Sequence, residues 1–88
     1  MNNSGYEKVF EIILDVIEPK LVQAGLDRYA VKRDTVLTDI LDSFGILDML
    51  LEIEERAGVS ADLAKMDFGK AMTLGGLAIE IVRINAIN

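Results

Sequence analysis

The stretch "LDSFGILDMLLEIEE", residues 41–55, contains the strongest helix pattern in the chain. Its apolar residues recur every three or four positions, which is the spacing of one face of an α-helix. Asp42 or Ser43 can cap the start of this helix by accepting hydrogen bonds from its free backbone N–H groups. Gly58 follows the pattern and suits the left-handed backbone conformation that often ends a helix. We therefore predict a helix from Ser43 to about Ala57.

On a helical wheel, this helix is apolar over much more than half of its circumference. The first apolar sector has the form of a core stripe and comprises Ile46, Met49, Leu50, Ile53 and Ala57. The second sector comprises Phe44, Leu47 and Leu51. Glu54 lies between the two sectors, and beyond the second lie the carboxylates of Asp48, Glu52 and Glu55.

Two interpretations of the second sector remain open. In one, its three side chains pack beneath a long loop, and the acidic residues only solvate the outside. In the other, part of the sector stays exposed beside its carboxylates and forms a docking surface for a basic partner. Between residues 39 and 55 there are six acidic residues and no basic residue, so charge surrounds Ser43.

The segment before this helix predicts another helix and then a long connection. Ser4 and Glu7 have the spacing of a capping box, so the first helix should begin there. Pro19 would either kink this helix or begin a second short one, and Gly25 suits its end. Residues 26–42 form the connection, which should contain a short helical turn with Asp34 as a possible cap.

The segment after the helix predicts a short helix and a final long one. Ser60 would cap the short helix, and Thr73 would cap the last. Gly75 and Gly76 weaken the first turn of the last helix, and we attribute them to close backbone packing. The fold class is therefore all-α, a single small domain over residues 1–88 with three longer helices and one short helix.

Composition excludes several classes of function. The 88 residues include no cysteine and no histidine, so a thiol nucleophile, a Ser-His-Asp triad and the commonest zinc ligands are absent. We expect no enzyme activity and no metal site. The net charge of −6 disfavours nucleic acid as a partner and favours a basic protein surface. The start of the sequence lacks the pattern of a signal peptide, and no apolar run is long enough for a membrane span, so we expect a cytoplasmic protein. Because the chain starts at a methionine and has no low-complexity tail, we expect it to be complete, and we expect it to be a monomer.

The stretch "LDSFGILDMLLEIEERAGV" resembles the second helix in the acyl carrier proteins. Members of that family carry Asp-Ser-Leu at the head of their second helix, and Phe44 stands here in place of the leucine. Length, acidity and the order of elements also agree. The form "LDSFG" is closest to the D-alanyl carrier proteins and related carriers of amino acids. The segment "GVSADLAKMDF" lacks the proline that these carriers usually have after the second helix.

The resemblance implies that Ser43, next to Asp42, is the attachment site of a 4′-phosphopantetheine arm derived from coenzyme A. A separate phosphopantetheinyl transferase would install the arm, which explains why no histidine is needed to activate the serine. An adenylating ligase would load an amino acid or another small acyl group as a thioester, and a downstream acyl-transferring or synthase enzyme would accept it. The implied partner-binding residues are Phe44, Leu47, Asp48, Leu51, Glu52 and Glu55.

Two alternatives remain. The chain could carry fatty acid or polyketide chains, which would need an apolar interior that opens. It could also be a small acidic interaction module, in which Ser43 stays unmodified and only caps its helix.

Overall fold

Three α-helices form the framework in the computed structural model, which describes residues 4–87. They are α1 (Ser4–Gln23), α2 (Ser43–Ala57) and α3 (Leu74–Asn85). Three single 3-10 turns lie in the connections, at Arg28–Ala30, Leu37–Asp39 and Leu63–Lys65. Residues 4–87 contain no β-strand, so the predicted all-α class is confirmed.

The predicted start and end of α1 agree with the structure. The helix begins at Ser4, whose side chain lies outside the described part of the chain. Pro19 lies inside α1, so the alternative of a separate second helix is wrong. Gly25 ends the helix at φ +80°, and Leu26 donates to the Leu21 carbonyl over 2.7 Å in a Schellman motif.

Two predicted caps are wrong. The predicted short helix is only the 3-10 turn Leu63–Lys65. Its cap is Asp62, which accepts from the amide of Ala64. Ser60 does not cap this turn, and its backbone amide donates to Asn85 instead. The turn expected in the long connection is Leu37–Asp39, and it has no side-chain cap, so Asp34 does not serve there. In both cases local composition predicted a turn but not its exact start, so the cap was assigned to a residue two positions too early.

The core lies between the three helices, and the connections complete it. α1 contributes Ile13, Ile17 and Leu21, and α3 contributes Leu77 and Ile81, all of them fully buried. From the predicted core stripe of α2, Met49, Leu50 and Ile53 are buried, whereas Ile46 and Ala57 are half-buried. The long connection adds Val31, Leu37 and Leu41, which is why so long a segment keeps a fixed path.

Backbone hydrogen bonds tie the long connection to the start of α3. Leu74 donates to Thr35 over 3.1 Å, Gly75 donates to Arg33 over 2.8 Å, and Leu37 donates to Met72 over 2.8 Å. At Gly75 an added Cβ would lie 3.0 Å from the Arg33 carbonyl oxygen, a tight contact, so this close approach favours glycine.

Gly76 is under a stronger constraint, because an added Cβ would lie 1.7 Å from the Lys70 carbonyl oxygen. The predicted close backbone packing at Gly75 and Gly76 is therefore confirmed.

Candidate functional site at the start of the second helix

Asp42 and Ser43 have different roles at the start of α2. Asp42 is the N-cap: its Oδ1 accepts from the amide of Gly45 over 2.7 Å. Ser43 is the first residue of the helix and is exposed. Its hydroxyl has no hydrogen-bond partner among residues 4–87. Of the two predicted caps, Asp42 is the one that serves, and Ser43 keeps a free hydroxyl.

The connection before α2 holds this pair in place. Leu37 and Leu41 are buried, and the amide of Leu41 donates to the Leu37 carbonyl over 2.9 Å. The first bond of α2 runs from the amide of Ile46 to the Asp42 carbonyl. The amides of Ser43 and Phe44 have no partner among the described residues, as expected in the first turn of a helix. The start of α2 therefore presents a hydroxyl and two N–H groups to solvent from a fixed position.

The second apolar sector of α2 is exposed. Phe44 is 83% exposed, Leu51 62% and Leu47 49%. The connections do not cover these side chains, so the interpretation in which they pack beneath a loop is wrong. The exposed sector and its carboxylates form the candidate partner-binding site, which we call the docking surface; it comprises Phe44, Leu47, Asp48, Leu51, Glu52 and Glu55.

Basic residues partly neutralise this surface. Asp48 forms an ion pair with Lys20 of α1 over 3.1 Å, and Glu52 forms one with Arg56 over 2.9 Å. Glu55 is exposed and forms no ion pair within the described part of the chain. The sequence pattern identified the carboxylates, but Lys20 lies 28 residues before Asp48, so the pattern along α2 gave no sign of it.

Glu54 has a structural role instead. Its Oε2 accepts from the amide of Ala61 over 2.9 Å and so holds the segment after α2 against the helix. Asn85 of α3 holds the same segment, because its side-chain amide exchanges two hydrogen bonds, of 2.8 and 2.7 Å, with the backbone of Ser60.

Glu80 is the only charged residue that is fully buried among residues 4–87, with 1% exposure. It accepts from Arg83 on its own helix and, over 2.9 Å, from the amide of Asp67. These hydrogen bonds, first those from Arg83 and then that from Asp67, lower the pKa of Glu80 from 4.5 to about 2. Arg83 also donates to the Lys65 carbonyl over 3.0 Å. Glu80 and Arg83 thus hold the backbone of Lys65 and Asp67 against α3, and we call this arrangement the Glu80 clamp. The sequence analysis did not identify it; its only sign in the sequence is a charged pair three residues apart in an otherwise apolar helix.

An apolar cavity of about 270 Å³ opens beside α2. Helix α2 contributes Ile46 and Leu50, α3 contributes Leu77, and the connections contribute Leu37, Thr38, Leu63, Phe68, Ala71 and Met72. Phe68 and Met72 are exposed, so they form part of its rim. Because Ile46 lies three residues after Ser43, the cavity begins about 4.5 Å along the helix from the candidate attachment site.

The described residues contain no cluster of acidic side chains that could hold a metal ion, and none of their helices is long and apolar enough to cross a membrane. Comparison of the sequence with models of protein families finds no match, and comparisons with curated proteins and with solved structures find none either.

Proposed function

We propose that this chain is a carrier protein of the acyl carrier type, with a 4′-phosphopantetheine arm on Ser43. The observation that carries the proposal is the division of roles at the start of α2. Because Asp42 provides the cap, the Ser43 hydroxyl is not needed for the fold and is free to react. A serine that only capped its helix would instead accept the hydrogen bond that Asp42 accepts.

The site suits a phosphodiester. The amides of Ser43 and Phe44 and the positive end of the helix dipole favour an anion at this position. In the proposed modification the Ser43 oxygen forms a bond to the phosphorus of the phosphopantetheine group. The adenosine bisphosphate part of coenzyme A leaves, and a base of the transferase takes the hydroxyl proton. The arm supplies the thiol that carries the cargo as a thioester.

The docking surface would bind the partner enzymes. Its exposed apolar side chains and its carboxylates lie on the helix that begins at Ser43, so a partner that contacts them would have the arm within reach. The proposed partners are a phosphopantetheinyl transferase, an adenylating ligase and a downstream acyl-transferring or synthase enzyme. Each should present basic and apolar side chains.

The cargo has two candidates. The motif "LDSFG" favours an amino acid or another small acyl group. The cavity supports the second candidate, an alkyl chain, because eight of its nine lining residues are apolar and Thr38 is the exception. A protein cavity of 150 Å³ can hold benzene, so this one has room for a group of on the order of ten carbon atoms.

The decisive experiment is incubation with a promiscuous phosphopantetheinyl transferase and coenzyme A, followed by intact mass measurement. The wild-type chain should gain one arm, and Ser43→Ala should gain none. Ser60→Ala is the matched control, since Ser60 is half-buried, and it should gain the arm as the wild type does. If the wild type gains no arm, or Ser43→Ala still gains one, the carrier proposal is wrong. The acidic interaction module with an unmodified Ser43 would then take its place.

A further inference from the structure

The docking surface carries its own counter-charges. Asp48, Glu52 and Glu55 provide three carboxylates, but Lys20 and Arg56 pair with two of them. A basic partner that approaches this surface therefore encounters two carboxylates that already have a cation nearby. The ion pair between Lys20 and Asp48 joins α1 to α2, so it forms only when the two helices pack together.

We propose that Lys20 is an internal competitor for Asp48, which weakens the binding of basic side chains to the docking surface. The proposed function supplies the identity of the partner, while the competition itself follows from the geometry. The Lys20 side chain is only 29% exposed, and its ammonium nitrogen lies 3.1 Å from the Asp48 carboxylate. Asp48 is 65% exposed, so a second cation can approach its carboxylate from solvent.

The strength of the pair permits this exchange. An exposed ion pair contributes about 0.2–1 kcal/mol, so a partner's lysine or arginine can displace Lys20 at little cost. Removal of Lys20 should therefore strengthen the binding of a basic partner by a factor of up to about five. Lys20 would thus favour partners that provide apolar contacts as well, because the charge of Asp48 alone attracts a cation only weakly while Lys20 is present.

The test compares two lysine-to-methionine variants that change the net charge equally. Lys20→Met removes the competitor and keeps an apolar side chain of similar length. Lys8→Met is the matched control: Lys8 is exposed, lies about 18 Å away along α1, and forms no ion pair among residues 4–87. The probe is a tetralysine peptide, titrated at low ionic strength and followed by the amide chemical shifts of α2. Lys20→Met should bind it more tightly than Lys8→Met does, by a factor of up to about five.

A double variant shows whether the effect acts through Asp48. In an Asp48→Asn background, Lys20→Met should no longer increase tetralysine binding. The proposal is overturned if Lys20→Met binds no more tightly than Lys8→Met, or if its gain persists without the Asp48 carboxylate. The same variants can be compared for the rate at which the transferase modifies Ser43. If the peptide result holds but Ser43 accepts no arm, the competition stands and the carrier function fails.

Discussion

At the level of single residues, the start of α2 assigns capping to Asp42 and leaves Ser43 without a structural role. Asp42→Ala removes the acceptor for the Gly45 amide and should lower the free energy of unfolding by about 0.5–2 kcal/mol. Ser43→Ala removes a hydroxyl without a partner and should change it by less than about 0.5 kcal/mol. Urea denaturation of both variants measures the difference. Equal losses would show that Ser43 shares the capping, and the main support for its modification would disappear.

At the level of elements, the two faces of α2 should respond differently to truncation. Leu50→Ala and Ile53→Ala remove buried side chains and should each cost about 2–5 kcal/mol, a large share of the stability of a small domain. Leu47→Ala and Leu51→Ala remove exposed side chains and should each cost less than about 1 kcal/mol, yet they should slow the modification of Ser43. Thermal melts and a modification assay on the four variants test this. If the variants at Leu47 and Leu51 melt as early as the variants at the two buried positions, these leucines belong to the core. If they leave the modification of Ser43 unaffected, the docking surface must be sought among the carboxylates alone.

The Glu80 clamp of α3 should make stability depend on pH in the acid range. The folded-state pKa of Glu80, about 2, lies below its ordinary value of 4.5, so the ionised form stabilises the fold. This contribution is fully present above about pH 4.5 and is lost as the pH falls toward 2. The urea midpoints of the wild type and of Glu80→Gln should therefore differ at neutral pH and converge over that interval. Glu55→Gln is the control and should remain close to the wild type throughout, since Glu55 is exposed and forms no ion pair in residues 4–87. A constant difference between the wild type and Glu80→Gln across the interval would contradict the assignment.

At the level of the whole molecule, local patterns predicted the helices, and tertiary contacts decided the rest. Asp42 and Thr73 were identifiable as caps because a cap acts within three residues of itself. Asp62 also acts locally, on the amide of Ala64, but the sequence offers Ser60 as a cap two residues earlier and does not show which of them begins the turn. Lys20 and Asn85 were missed because their partners lie 28 and 25 residues away in the sequence. The exposure of the second sector of α2 was left open for the same reason, since it depends on where the long connection runs.

The cavity is also a property of the whole molecule, because α2, α3 and both connections form its walls. If it receives cargo from the proposed arm on Ser43, a longer acyl chain should stabilise the fold, as a ligand that binds only the folded state does. Each buried methylene contributes about 0.8 kcal/mol before the cost of ordering the chain. The octanoyl form should therefore melt at least about 5 °C above the acetyl form, with about 1 kcal/mol of net stabilisation. Ala71→Leu fills part of the cavity from its wall and should abolish this difference while leaving the modification of Ser43 intact. Equal melting temperatures for the two acyl forms of the wild type would show that the cavity holds no cargo, and would leave a small acyl group or an amino acid, exposed on its arm, as the cargo.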